Sequence, residues 1–261
     1  MLDWRLTPRH SMSHPPAAGN LASAPLYKQV KLALTRSLSA SKWRPGDAIP
    51  SETRLAREFK VSVGTIRKAV DELVADKILL RQQGRGTFVT EHTEDRQLYY
   101  FFHIVGKNGA RVAPTHELLS LRNARAGPAD RLLGMNPGDR VYRVHNLLRI
   151  AGRPVIFDEI TLAATRFPGL TEKVFIGREG TIYGLYQARY GINVVRIVER
   201  ISAQRAPAAV ASVLGMRAES PILVIRRVAY SYHDAPVELR TSWVDTSGHE
   251  YLSDLWKAEG R

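Results

Sequence analysis

Two short stretches carry the side chains best suited to holding a polyanion. In Ser62-Val63-Gly64-Thr65-Ile66-Arg67-Lys68, small residues and two cations follow a hydroxyl residue able to cap a helix. In Gly84-Arg85-Gly86-Thr87 an arginine stands between two glycines. Guanidinium and ammonium groups neutralise phosphates, and free N–H groups at a helix start add to them. Small side chains there let a groove edge approach closely. No comparable set supports covalent or redox chemistry. Cysteine is absent, which removes thiol nucleophiles, disulfides and thiolate metal sites. The eight histidines are scattered without metal-ligand spacing. Nothing resembles a Gly-rich phosphate loop or a Ser/His/Asp arrangement of recognisable spacing. No catalytic residue, metal or cofactor is expected.

The elements that must position these cations can be read around them. Ser51 can cap a first helix, with Glu52 in the first turn where the helix dipole favours an anion. Leu55, Ala56 and Phe59 line its inner side, and Lys60-Val61 makes a turn. Ser62 caps a second helix, in which Ile66, Ala69, Val70, Leu73 and Val74 form the apolar stripe. Gly64, Thr65, Arg67 and Lys68 are left on its other face. Ile78–Gln83 and Thr87–Val89 read as two strands joined by the Gly84-Arg85-Gly86 tip, where glycine supplies the needed φ freedom. Upstream, Leu26, Val30, Ala33, Leu34 and Leu38 predict a helix that closes the small core, ended by Arg44-Pro45-Gly46-Asp47. Helix, turn, helix and basic hairpin in this order is a winged helix-turn-helix, an architecture that binds double-stranded DNA.

The charge distribution agrees. The chain has 261 residues and a net charge of +13, of which +7 falls within residues 25–90. A quarter of the length holds half of the excess, so the polyanion-binding surface belongs there. An apolar content of 44% is ordinary for globular folds, and the length suits two domains. No apolar run approaches the roughly 18 residues of a membrane span, and the N-terminal stretch lacks a signal-peptide core. A cytoplasmic, nucleoid-associated protein is expected. Residues 1–24, rich in Pro, Ser, Ala and His, predict a disordered tail, and 91–98 a polar linker.

The remainder, 99–256, shows an internal near-repeat. Leu133-Gly134-Met135 recurs as Leu214-Gly215-Met216, and Val141–Glu159 maps onto Ile222–Thr241 with one inserted residue. Each copy reads as strand, turn and strand behind a short helix, Ala129–Leu133 or Pro207–Leu214. A strand through Tyr99–Val105, a helix over Thr181–Tyr190 and a strand over Val194–Ala203 complete an α+β domain with a mostly antiparallel sheet.

Pro25-Leu26-Tyr27, Trp43-Arg44-Pro45-Gly46, Pro50-Ser51-Glu52, Val61-Ser62, Thr65-Ile66-Arg67 and Gly84–Val89 together resemble the DNA-binding domain of GntR-family bacterial transcription regulators. Leu133-Gly134, Val141–Val144, Gly152–Val155, Phe167–Leu170, Thr181–Tyr183, Tyr190-Gly191 and Ala235–Glu238 resemble the UTRA effector domain of the HutC subfamily, which has a chorismate-lyase-like fold. The resemblance implies a homodimeric regulator, generally a repressor, whose affinity for a palindromic operator is controlled by a small molecule. It implies DNA contacts from Ser51, Thr53, Ser62, Val63, Gly64, Thr65, Arg67, Lys68, Arg85, Gly86 and Thr87. Thr53 and Val63 stand where the family often has guanine-reading arginines, so a different half-site is expected. The effector positions implied are Asn146, Leu148, Asp158, Thr181, Tyr183, Thr241 and Tyr251. Asn146 and Leu148 replace an Arg-x-Arg phosphate clamp, which argues for a less charged or carboxylate-bearing effector over a typical sugar phosphate. Two other functions stay open at this point: a ligand-independent DNA-binding protein, and an enzyme built on the lyase-like fold.

Overall fold

The computed structural model describes residues 24–92 and 101–253. The chain divides into two compact units, 1–90 and 91–261. The expected tail, apart from Ala24, and most of the expected linker lie outside the described residues. Among those residues no helix is long and apolar enough to cross a membrane.

The first unit contains α1 (Leu26–Ser39), α2 (Glu52–Phe59), α3 (Val63–Ala75) and a hairpin of β1 (Leu79–Gln82) and β2 (Gly86–Val89). The caps form as the sequence requires. Ser51 Oγ accepts from the Arg54 N–H at 3.3 Å and Ser62 Oγ from the Thr65 N–H at 3.1 Å. Lys60, with φ 54°, stops α2 in the left-handed region. Val30, Leu34 and Leu38 of α1 are buried with Leu55 and Ala56 of α2 and Ile66, Ala69, Val70 and Leu73 of α3. Ile49 donates to the Thr87 carbonyl and Val89 to that of Asp47, both at 2.9 Å, so the segment entering α2 is fixed to the wing. Four expected core positions differ. Leu26 is 58% exposed, one turn ahead of the first buried residue, while Ala33, Phe59 and Val74 are half-buried at the margins of their stripes.

The second unit is built on a six-stranded antiparallel sheet in the order β4-β5-β6-β9-β8-β7. Its strands are β4 (Thr115–Arg125), β5 (Arg140–Ile150), β6 (Arg153–Ala163), β7 (Arg196–Arg205), β8 (Pro221–Tyr230) and β9 (Pro236–Val244). The near-repeat becomes a pseudo-two-fold arrangement, with β4–β6 and β7–β9 meeting through β6 and β9. Gly134 and Gly215, at φ 71° and 66°, end the helix of each copy. The first of these is a 3-10 helix, Pro128–Leu133, and the second an α-helix, α6 (Ala208–Leu214). The remaining helices are α4 (Glu172–Ile176) and α5 (Ile182–Tyr190).

Strand alternation gives the sheet two covered faces. Val144, Ile160 and Leu162 meet Tyr183 and Tyr186 of α5 on one. Leu147, Phe157, Val224 and Trp243 meet Val210, Ala211 and Leu214 of α6 on the other. A separate two-stranded ladder joins β3 (Ile104–Gly106) to β10 (His249–Tyr251).

Three sequence expectations change here. The strand expected over Tyr99–Val105 is confined to Ile104–Gly106 within the described residues and pairs outside the main sheet. The strand expected at Val194–Ala203 is displaced to Arg196–Arg205. The eleven-residue β4 was not foreseen at all.

Candidate functional site

In the first unit the starts of α2 and α3 and the tip of the wing carry the DNA-binding positions implied above. Ser51, Thr53, Ser62, Val63, Gly64, Arg67, Lys68, Arg85 and Gly86 are exposed, and Thr65 and Thr87 half-buried. A groove between the α2 start and the wing is lined by Ser51, Glu52, Arg81, Arg85 and Thr87. Glu52 organises the cations around it. Arg67 Nε donates to Glu52 Oε2 at 2.9 Å, and Arg81 Nη2 to Glu52 Oε1 at 2.8 Å. Arg81 Nη1 also donates to Asp71 Oδ1 at 2.5 Å. Exposed pairs of this kind add little stability; their effect is to hold Arg67 and Arg81 in fixed directions. Lys68 Nζ stands 4.1 Å from the centre of the Tyr27 ring. Glu52 was foreseen only as a dipole partner, and Arg81 was not foreseen.

The second unit encloses a cavity of about 40 Å³ beneath β3 and β10, lined by both apolar and polar side chains. Leu148, Asp158, Thr181 and Tyr251, all implied by the family resemblance, line it together with His103, His116, Arg227, Arg240 and Ser242. Thr181 caps α5, its Oγ1 accepting from the Gly184 N–H at 2.9 Å, so the first turn of that helix opens beside the cavity. Asn146 is fully buried opposite Asp158 in the sheet, and its side-chain oxygen has no hydrogen-bond partner. Its amide nitrogen lies 3.4 Å from His116 Nδ1.

Charge in this region is arranged in closed pairs. Arg240 donates from Nε and Nη2 to Glu238 at 3.0 and 2.9 Å, and from Nη1 to Asp158 at 3.1 Å. Arg227 Nε donates to Glu199 at 2.8 Å, and its Nη2 to the Phe101 carbonyl at 2.6 Å. Glu199 also accepts from the Tyr251 hydroxyl and lies 3.0 Å from His103 Nδ1. Burial opposes ionisation of Glu199, but His103, Arg227 and Tyr251 together hold its carboxyl down at about 2. Asp158 goes the other way: burial raises it, against the pull of Arg240 and Ser242. Burial, then the charges of Arg178 and Arg240, press His116 down to about 4, so it is neutral at physiological pH.

Three implied effector residues do not reach the cavity wall, the first being Asn146, which is buried in the sheet as the ladder partner of Asp158. Thr241 lies on the opposite face, because Arg240 and Ser242 line the cavity and neighbouring residues of β9 alternate. Tyr183 is packed beneath it: its ring meets Phe101 at 5.1 Å, and its hydroxyl donates to Glu238 at 3.2 Å. The sequence reading missed His103, His116, Glu199, Arg227, Glu238 and Arg240. A signal was present, since Arg226-Arg227 interrupts the apolar run of β8, and Glu238 and Arg240 interrupt that of β9. Charged residues inside a strand buried on both faces require a reason. Among the described residues no group of three His, Asp or Glu could hold a metal ion.

A winged helix followed by this sheet defines a two-unit regulator, and comparison with known proteins supplies the family. Residues 109–250 match the UTRA domain, and residues 26–89 match the bacterial regulatory proteins of the gntR family. The chain is 30% identical to the histidine utilization repressor of Pseudomonas putida over 227 residues, covering 84% of this chain and 90% of the repressor. It is 27% identical to the HTH-type transcriptional regulator SmoD of Agrobacterium fabrum over 233 residues, covering 89% and 97%. A crystallised ligand-binding domain from Bordetella bronchiseptica, assigned to the GntR family, superposes with a TM-score of 0.58 at 27% identity, covering 60% of this chain and 98% of that domain. The chain belongs to the GntR family of transcription regulators, HutC type, with a UTRA effector domain.

Proposed function

We propose that this regulator is a homodimeric repressor whose grip on a palindromic operator is set by a small polar effector held in the cavity of the second unit. Two copies related by a two-fold axis would place two α3 helices on matching half-sites. Ser51, Arg67, Lys68, Arg85 and Thr87 are the residues to contact the DNA backbone and groove edges. Asn146, Asp158, Thr181 and Ser242 are those to hold the effector, in the cytoplasm where the nucleoid lies. The observation that carries this reading is the buried Asn146 oxygen without a partner, on the residue paired in the sheet with Asp158 of the cavity wall, since unpartnered buried polar atoms are rare and call for an explanation.

The arrangement favours an effector of low charge or with a single carboxylate. β5 offers no cation at positions 146 and 148, and Arg227 and Arg240 already face carboxylates. A dianionic phosphate would have to break those pairs. The cavity has room for only a few waters, so an effector must move the walls apart. His92, within the expected linker, and Phe101 of the cavity wall both pack against Tyr183, with ring centres 5.8 and 5.1 Å away. Arg227 additionally holds the Phe101 carbonyl. An effector acts only through different affinity for the DNA-competent and incompetent states, and displacement of Phe101 supplies such a difference.

The test is a gel shift of the purified protein on its own upstream region, across salt concentrations, with metabolites of neighbouring pathways. A sequence-specific complex that one metabolite dissolves supports the proposal. Specific binding that no metabolite alters would leave a ligand-independent DNA-binding protein.

A further inference from the structure

Val63 is a large apolar side chain left facing solvent, 36% exposed, at the first position of α3. Its neighbours on that surface are each already committed. Ser62 and Thr65 share a hydroxyl–hydroxyl bond of 2.9 Å besides the cap itself. Arg67 is held by Glu52, and Lys68 lies over Tyr27. Gly64 has no side chain, and nothing inside the chain demands glycine there. An added Cβ would meet only Ser62 Oγ, at an ordinary 3.8 Å, and the φ of Gly64 is not positive. Glycine within a helix is unfavourable relative to alanine, so its presence beside Val63 fits an outside surface that comes very close.

The apolar group that a DNA major groove offers to such a side chain is the C5 methyl of thymine. We propose that Val63 is a specificity-determining residue that reads one thymine per half-site by packing its methyl groups against the thymine methyl. This rests on the reading that the start of α3 enters the major groove. It adds that the half-site carries an A·T pair at the position opposite Val63, recognised by shape and desolvation rather than by hydrogen bonds.

The experiment begins with selection of duplexes from a randomised pool by the full chain. Each thymine of the selected sequence is then replaced in turn by uracil, which removes the methyl and keeps every hydrogen-bonding group. One thymine per half-site should show about fourfold weaker binding on replacement, the effect of exposing roughly one methyl group. In Val63→Ala that dependence should disappear at the same position. Arg67→Ala should weaken all duplexes alike and leave the methyl dependence intact. The inference is overturned if no thymine shows a methyl dependence, or if the dependence persists undiminished in Val63→Ala. Failure of the pool to enrich any sequence would overturn the placement of α3 in the groove itself, a result distinct from the first two.

Discussion

The two units use charge in opposite ways. The arginines and lysine at the start of α3 and on the wing stand in solvent, lightly tethered by Glu52 and Tyr27 and open to an outside partner. Arg227 and Arg240 of the second unit are buried, each engaged with carboxylates of its own chain. An exposed cation contributes little to stability and much to binding a polyanion. A buried, paired one contributes to stability instead, because removing it strands its partners away from water. Substitutions in the two units should therefore separate binding from folding.

The largest effect is expected for Arg240→Ala, which leaves Asp158 and Glu238 buried without their cation. Breaking a buried pair in this way costs about 3–5 kcal/mol, to be seen as a lowered urea midpoint for unfolding of the second unit. An unchanged midpoint would end the contrast between the units.

Next is an acid lability confined to the second unit. His116 binds its proton at about 4 in the fold against 6.5 in the unfolded chain. Its contribution is therefore complete above pH 6.5 and lost as pH falls toward 4, up to about 3 kcal/mol. Glu199, held at about 2 against an ordinary 4.5, adds a further loss only below pH 4.5. Thermal unfolding followed from pH 7 to 4 should show the decline, and His116→Gln should flatten its upper part.

Arg67→Ala and Arg85→Ala should weaken operator binding by about 1–2 kcal/mol each with little change in the thermal midpoint. Arg67→Ala should also reduce the slope of log affinity against log salt by about 1. Gly64→Ala should have a small effect on folding, a gain of about 0.5–1 kcal/mol, while weakening DNA binding. A stabilised Gly64→Ala protein that binds normally would mean that the groove does not approach that turn.

The contrast also explains what could be read from the sequence. In the first unit, caps, helical stripes and glycine tip lie within a few residues of one another, so Ser51, Ser62 and Arg85 could be assigned locally. The second unit is assembled from distant segments. β4 escaped because an edge strand needs only half-buried alternation, and Thr-His-Glu-Leu-Leu-Ser-Leu-Arg-Asn-Ala-Arg offers few β-branched residues to mark it. Asp158 and Tyr251 could be placed by resemblance, but their partners could not. Arg240 reaches Asp158 across 82 residues of chain, and Tyr251 reaches His103 across 148. Thr241 was assigned to the cavity although the period of two along β9 turns it away from Arg240 and Ser242.

The claim that the second unit governs the first is tested most directly by thermodynamic reciprocity. Once a metabolite that alters operator binding is found, its affinity for the protein should be measured by calorimetry with and without saturating operator. The factor by which the metabolite weakens operator binding should equal the factor by which operator weakens metabolite binding. A metabolite that binds the second unit with the same affinity whether or not operator is present would contradict control of DNA binding through the cavity.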